Sequence, residues 1–124
     1  MILKEKQEHV ELIRKTINYL EGKGYENIKA DIEGYESPKS FKMTSQDMSI
    51  TPDIVADTSN GKTQYIEVGM KSESPQLLKS KWKFLKTISE MKNRGFKVVS
   101  HRGHYTFADQ IMNEIDMAKP SIRL

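Results

Sequence analysis

Cysteine is absent from this chain of 124 residues, proline occurs only four times, and no long apolar run is present. Without thiols there are no disulfide staples and no thiolate metal sites, and the absence fits a reducing, cytoplasmic setting. A membrane-spanning helix needs roughly 18 consecutive apolar residues, so no membrane partner is expected. The opening stretch, Met1 to Val10, lacks the apolar core of a secretory signal. Charge of one sign is also scarce: 20 Lys and Arg stand against 17 Asp and Glu, a net charge of +3. That balance does not decide whether nucleic acid is a partner; the placement of the cations does.

What is present points to a folded α/β domain. The apolar residues come in periodic clusters, and the length suits one domain over residues 1–124. Residues 4–21 read as an amphipathic helix with Val10, Ile13, Ile17 and Leu20 at helical spacing, ended by Gly22 and Gly24. Asn27–Ile32 reads as a short strand, and residues 33–47, polar with Gly34 and Pro38, read as a loop. Ser49–Ala56 and Thr63–Met70 read as two strands of a hairpin turning at residues 58–61. Ser74 and Pro75 suit the cap and first turn of a helix running to about Asn93, stopped by Gly95. Phe96–Ser100 reads as a buried strand, residues 101–104 as a loop, and Thr106–Ala118 as a last helix ended by Pro120. A hairpin followed by an αβ crossover predicts a small mixed sheet flanked by helices.

The residues with chemical promise are Asp53 and Glu67. Each is a carboxylate amid apolar neighbours, Ile54 and Val55 beside one, Tyr65, Ile66 and Val68 beside the other. A carboxylate in an apolar strand is costly when buried and unpaired. Adjacent strands bring the two acids together, and two carboxylates with a backbone carbonyl form a hard oxygen site suited to Mg²⁺. Ordinary solvent-facing acids are the competing explanation.

The order α-β-β-β-α-β, with Pro52-Asp53 in the second strand and Glu67-Val68-Gly69 in the third, resembles the PD-(D/E)XK nuclease superfamily. The stretches PDIVA and YIEV are similar to those of Holliday-junction resolvases and restriction enzymes, and the likeness spans residue 4 to about 100. It implies a restriction-endonuclease-like fold and a Mg²⁺-dependent DNA endonuclease, with Mn²⁺ as a substitute. Asp53, Glu67 and the Val68 carbonyl would hold the ion. The family lysine falls two residues after the glutamate, where this chain has Gly69. Lys71, one pleat further along the same strand face, is one replacement. Lys81, on the apolar arc formed by Leu77, Leu78, Trp82, Phe84, Leu85 and Ile88, is the other; in some members the lysine sits on this helix. The alternative is a degenerate nuclease fold that binds DNA or a protein partner without catalysis.

Other residues carry weaker signals. Lys79, Lys83 and Lys86 face the opposite side of the helix from Lys81, toward water. His101 and His104 lack a third metal ligand in sequence and read as loop residues. His9 reads as a packing histidine, and Trp82 as core. Relatives of this size often dimerise, and the last helix, with Ile111, Met112 and Ile115, is the expected contact surface for a homodimer.

Overall fold

The computed structural model describes residues 3–43, 48–117 and 120–124, with the side chains of residues 3–5, 43 and 48 left aside. It is a mixed α/β structure with three helices, a five-stranded mixed sheet and a separate two-stranded ribbon. Among the described residues no helix is long and apolar enough to cross a membrane.

Helix α1 (Leu3–Gly22) carries Leu12, Ile13, Thr16, Ile17 and Leu20 on its buried face. It ends where Gly24 takes a left-handed φ of +86° and the Tyr25 N–H closes on the Leu20 carbonyl at 3.0 Å. Strand β1 (Glu26–Ala30) follows as expected. Residues 33–47, expected to be loop throughout, instead contain β2 (Phe41–Met43), which pairs with β3 (Met48–Ile50); residues 44–47 of that stretch lie outside the described residues.

The strand expected over residues 49–56 is split into β3 and β4 (Ile54–Asp57). Pro52 has no N–H to give a ladder, and the Asp53 N–H is taken by a side chain, the Glu67 carboxylate, at 2.7 Å. Strand β5 (Thr63–Gly69) completes the hairpin. Helix α2 (Pro75–Met91) begins with Pro75 in its first turn, but the Ser74 hydroxyl makes no capping bond. Its last residue is Met91, close to the expected Asn93, and the turn that stops it is made at Asn93 and not at Gly95. Asn93 adopts a φ of +55°, the Arg94 N–H reaches back to the Ser89 carbonyl at 2.7 Å, and Gly95 opens β6 (Gly95–Ser100). Helix α3 (Tyr105–Glu114) ends in the same way at Asp116, with φ +61°, before Pro120 is reached. The expected end of that helix, Ala118, lies outside the described residues. A two-residue strand β7 (Ile122–Arg123), not foreseen, adds to β6.

The sheet order is β1-β4-β5-β6-β7, antiparallel from β1 to β5 and parallel from β5 to β7. Strand β5 lies at its centre and is buried on both faces, as a strand covered by helices on each side must be. Its Ile66 and Val68 face α1, packing with Ile13, Ile17, Ile54 and Val99. The opposite face meets α2 and α3 through Trp82, Val98, Ala108, Ile111, Met112 and Ile115. Ile111, Met112 and Ile115 are therefore buried core and do not form the outer contact surface expected of them. Leu77, assigned to the buried arc of α2, is 59% exposed. It lies in the first turn, ahead of the stretch that reaches the sheet.

Candidate active site

Asp53 and Glu67 sit on the sheet face covered by α2. Strand alternation sends Val55 and Asp57 of β4, and Thr63, Tyr65 and Glu67 of β5, to one side. Asp53, just ahead of β4, continues that row. The two acids clasp one another's backbone: the Asp53 N–H donates to Glu67 Oε2 at 2.7 Å, and the Val68 N–H donates to Asp53 Oδ2 at 2.9 Å. Both side chains are buried, Glu67 completely.

Lys81 joins them. Its ammonium lies 3.0 Å from Glu67 Oε1 and 3.4 Å from Asp53 Oδ1. The lysine stands on the second turn of α2, one residue before Trp82, whose indole N–H donates to Glu67 Oε1 at 3.1 Å. The apolar arc of α2 thus aims both an N–H and an ammonium at one carboxylate. A buried acid in an apolar sheet is tolerable only with such partners.

Gly69, where the PD-(D/E)XK resemblance would put a lysine, has no room for a side chain. A Cβ there would stand 2.7 Å from Ala108 Cβ and 3.2 Å from Trp82 Cη2. Helix α3 and the Trp82 ring fill the volume that a lysine at 69 would need. Lys71 is not brought to the cluster either. It lies past the end of β5 with an exposed side chain, and its backbone N–H donates to His104 Nδ1 at 3.0 Å.

His9 completes the group. It projects from the first half of α1, and its Nε2 lies 3.3 Å from Asp53 Oδ2. Its sequence signal was its spacing: three and four residues before Leu12 and Ile13, it shares their face of the helix. Trp82 had a signal as well, since a buried indole N–H needs an acceptor.

The electrostatics follow from burial and from the four charges. Burial works to raise the Asp53 pKa, but the Lys81 ammonium and the His9 hydrogen bond outweigh it and hold the group down at about 2. Burial pushes Glu67 up, the Asp53 charge adds to this, and Lys81 only partly offsets them, so Glu67 rises to about 7. Burial works against the Lys81 charge, yet the Glu67 and Asp53 carboxylates together raise its pKa. His9 is raised above 6.5: desolvation opposes the charged ring, and the hydrogen bond and charge of Asp53 exceed it.

The other two histidines and two of the outer lysines of α2 pair elsewhere. His101 is buried against the Thr16 hydroxyl at 2.9 Å, and burial lowers its pKa. His104 accepts from the Lys71 N–H on Nδ1, so its Nε2 carries the proton and donates to Glu8 at 3.0 Å. Of the α2 lysines facing away from Lys81, Lys79 pairs with Glu114 at 3.1 Å and Lys86 with Glu90 at 3.4 Å.

The donor set suits a hard divalent cation. No group of three or more His, Cys, Asp or Glu side chains converges among the described residues, so the protein oxygens are two carboxylates and main chain. A strand residue's N–H and C=O leave on the same edge, so the Val68 carbonyl faces the Asp53 side with its N–H. Continuing the β4–β5 register sets Val68 opposite Pro52, which has no N–H to offer that carbonyl. Two carboxylates aimed at one cationic centre, beside a carbonyl that Pro52 cannot pair, are donors of the kind that Mg²⁺ takes from a protein. Comparison with protein-family models, curated proteins and solved structures finds no match to this chain.

Proposed function

We propose that this domain is a Mg²⁺-dependent DNA endonuclease of the PD-(D/E)XK type, with Lys81 in place of the missing strand lysine. The observation that carries the reading is the Lys81 ammonium, 3.0 Å from Glu67 and 3.4 Å from Asp53. The sheet order supports it: setting aside the β2–β3 ribbon, the elements run α-β-β-β-α-β, with two antiparallel pairings and then a parallel one.

Asp53, Glu67 and the Val68 carbonyl would hold the ion. Bound there, Mg²⁺ would supply Lewis-acid stabilisation of phosphoryl charge and a more acidic bound water. Lys81 would orient an attacking water and offset charge developing on the phosphate oxygens. Trp82 and the Asp53 N–H fix the Glu67 carboxylate, so the acid does not have to reorganise during the reaction. His9 holds Asp53 from the α1 side.

The test is cleavage of branched and linear DNA with Mg²⁺ or Mn²⁺. Asp53→Ala and Lys81→Met should each lower the rate about 100-fold or more, the scale of losing one positioned electrostatic group. Equal cutting by Asp53→Ala and the unaltered chain would defeat the assignment.

A second reading, a nuclease fold that binds DNA or a protein partner without cutting, draws on one observation. The carboxylates are already served by Lys81, His9, Trp82 and two backbone N–H groups, a network that satisfies itself without a metal. Calorimetric titration with Mn²⁺ separates the two. Binding that disappears in Glu67→Ala supports the enzyme; no heat with the unaltered chain supports the binding domain.

A further inference from the structure

The side-chain row that holds Asp53 and Glu67 continues away from them along β4 and β5. The next pair on the same face is Val55 with Tyr65, then Asp57 with Thr63. A cleft of about 690 Å³ opens over these two pairs. It begins one pair from the carboxylates, about 7 Å along the strands at a rise of about 3.3 Å per residue. Residues 36–41 wall it on one side, and Lys92 and Arg94, after α2, on the other. A second hollow of about 400 Å³ shares Thr63, Lys92 and Arg94 with it and carries the groove on to Lys62 at the hairpin turn.

The groove is cationic and preorganised. Lys29, Lys39, Lys62, Lys92 and Arg94 line it against two acids, Glu36 and Asp57. Asp57 is already engaged, accepting from Asn27 Nδ2 at 3.0 Å and from the Thr63 hydroxyl at 2.9 Å. Arg94 is fixed by donating to the Tyr65 hydroxyl at 2.7 Å, and Asn93, in its left-handed turn, sets where Lys92 and Arg94 leave the helix. Phe41, half-buried, is held edge-on to Tyr65 and Phe84, at 5.8 and 6.0 Å between centroids, and offers an aromatic wall. A basic groove with an aromatic side is the arrangement that tracks one nucleic-acid strand. Its volume is that of a pocket for a small ligand, which suits one strand better than a duplex.

We propose that this groove seats a single nucleic-acid strand, gripping the sugar-phosphate backbone next to the phosphate presented to Asp53, Glu67 and Lys81. The inference rests on the nuclease reading for what happens at the carboxylates, but binding alone tests it. Lys39, Lys62 and Lys92 are exposed, so the combined variant Lys39→Gln, Lys62→Gln and Lys92→Gln should fold. Lys15→Gln, on α1 across the sheet, is the control. Binding of a short fluorescent single-stranded oligonucleotide is followed by anisotropy in EDTA, where metal-dependent cutting is blocked, over a range of salt.

In the triple variant the Kd should rise, and the slope of log K against log salt should become shallower by about 2, at about 0.7 for each phosphate that is no longer neutralised. The control should match the unaltered chain. If the triple variant binds as well as the unaltered chain, the groove proposal is overturned and the nuclease reading stands, with the strand running elsewhere. Binding of duplex but not single strand overturns it too, as does equal displacement by a mononucleotide, which would mark a small-molecule pocket. If the unaltered chain neither binds nor cuts any nucleic acid, groove and nuclease reading fall together.

Discussion

Glu67 has no exposure to solvent, yet it faces another carboxylate across a single ammonium. Its pKa is raised from 4.5 to about 7, so the native state holds the proton more tightly than the unfolded chain does. The stability this contributes is complete below pH 4.5 and is lost as pH rises through about 7. Asp53 runs the other way. Lowered from 3.8 to about 2, it contributes stability above pH 3.8 that is lost as pH falls through about 2. Urea unfolding at a series of pH values should therefore show stability falling between pH 4.5 and 7. Glu67→Gln should make that fall shallower, because the amide does not ionise, and should lower stability near neutral pH, because its single carbonyl oxygen cannot serve both the Asp53 N–H and the Trp82 and Lys81 donors. An unchanged slope in the variant would show that Glu67 titrates normally.

At the scale of elements, much was legible and the omissions have physical causes. Helices α1 and α2, the β4–β5 hairpin and β6 followed from hydrophobic period and turn residues. Ribbon β2–β3 did not, because Phe41–Met43 is three residues long, lies in a polar stretch, and pairs locally outside the main sheet. Strand β7 is two residues with only a single pairing edge. The end of α3 was misplaced because Asp116, ahead of Pro120, adopts the left-handed turn; α2 ends close to where expected, but its stop is Asn93 and not Gly95. In the site, Asp53, Glu67 and Lys81 were visible as charges among apolar residues. His9 was not, because a half-buried histidine at a helix edge looks the same whether it packs or pairs.

The packing around Gly69 can be tested directly. The glycine at 69 is a packing fact, since α3 and Trp82 close over the position. Gly69→Ala should destabilise the fold by about 1–3 kcal/mol, the usual cost of overfilling a packed core, read as a lower urea midpoint at unchanged m-value. Gly69→Lys, which would supply the strand lysine of the proposed nuclease type, should be less stable still and no more active. A stable, active Gly69→Lys protein would mean that α3 yields easily and that Lys81 is not the operative cation.

For the whole molecule, the site is a junction: α1 supplies His9, the β4 approach Asp53, β5 Glu67, and α2 Lys81 and Trp82. Elements from both faces of the sheet meet there, so a cation bound at the two carboxylates would act on the fold as a unit. Because the unfolded chain does not hold Asp53 and Glu67 together, binding adds RT ln(1 + [L]/Kd) to stability, about 2.7 kcal/mol at a hundredfold excess over Kd. The melting temperature should thus climb with Mn²⁺ concentration, and Asp53→Ala should remove the climb. The effect should also weaken on acidification, because His9, raised above 6.5 by Asp53, gains its proton and competes with the metal for that carboxylate. His9→Asn should make that loss shallower without abolishing it, because Glu67, raised to about 7, still gains its proton over the same range. A melting temperature indifferent to Mn²⁺ at every pH would leave the ammonium of Lys81 as the only cation this pair of acids accepts.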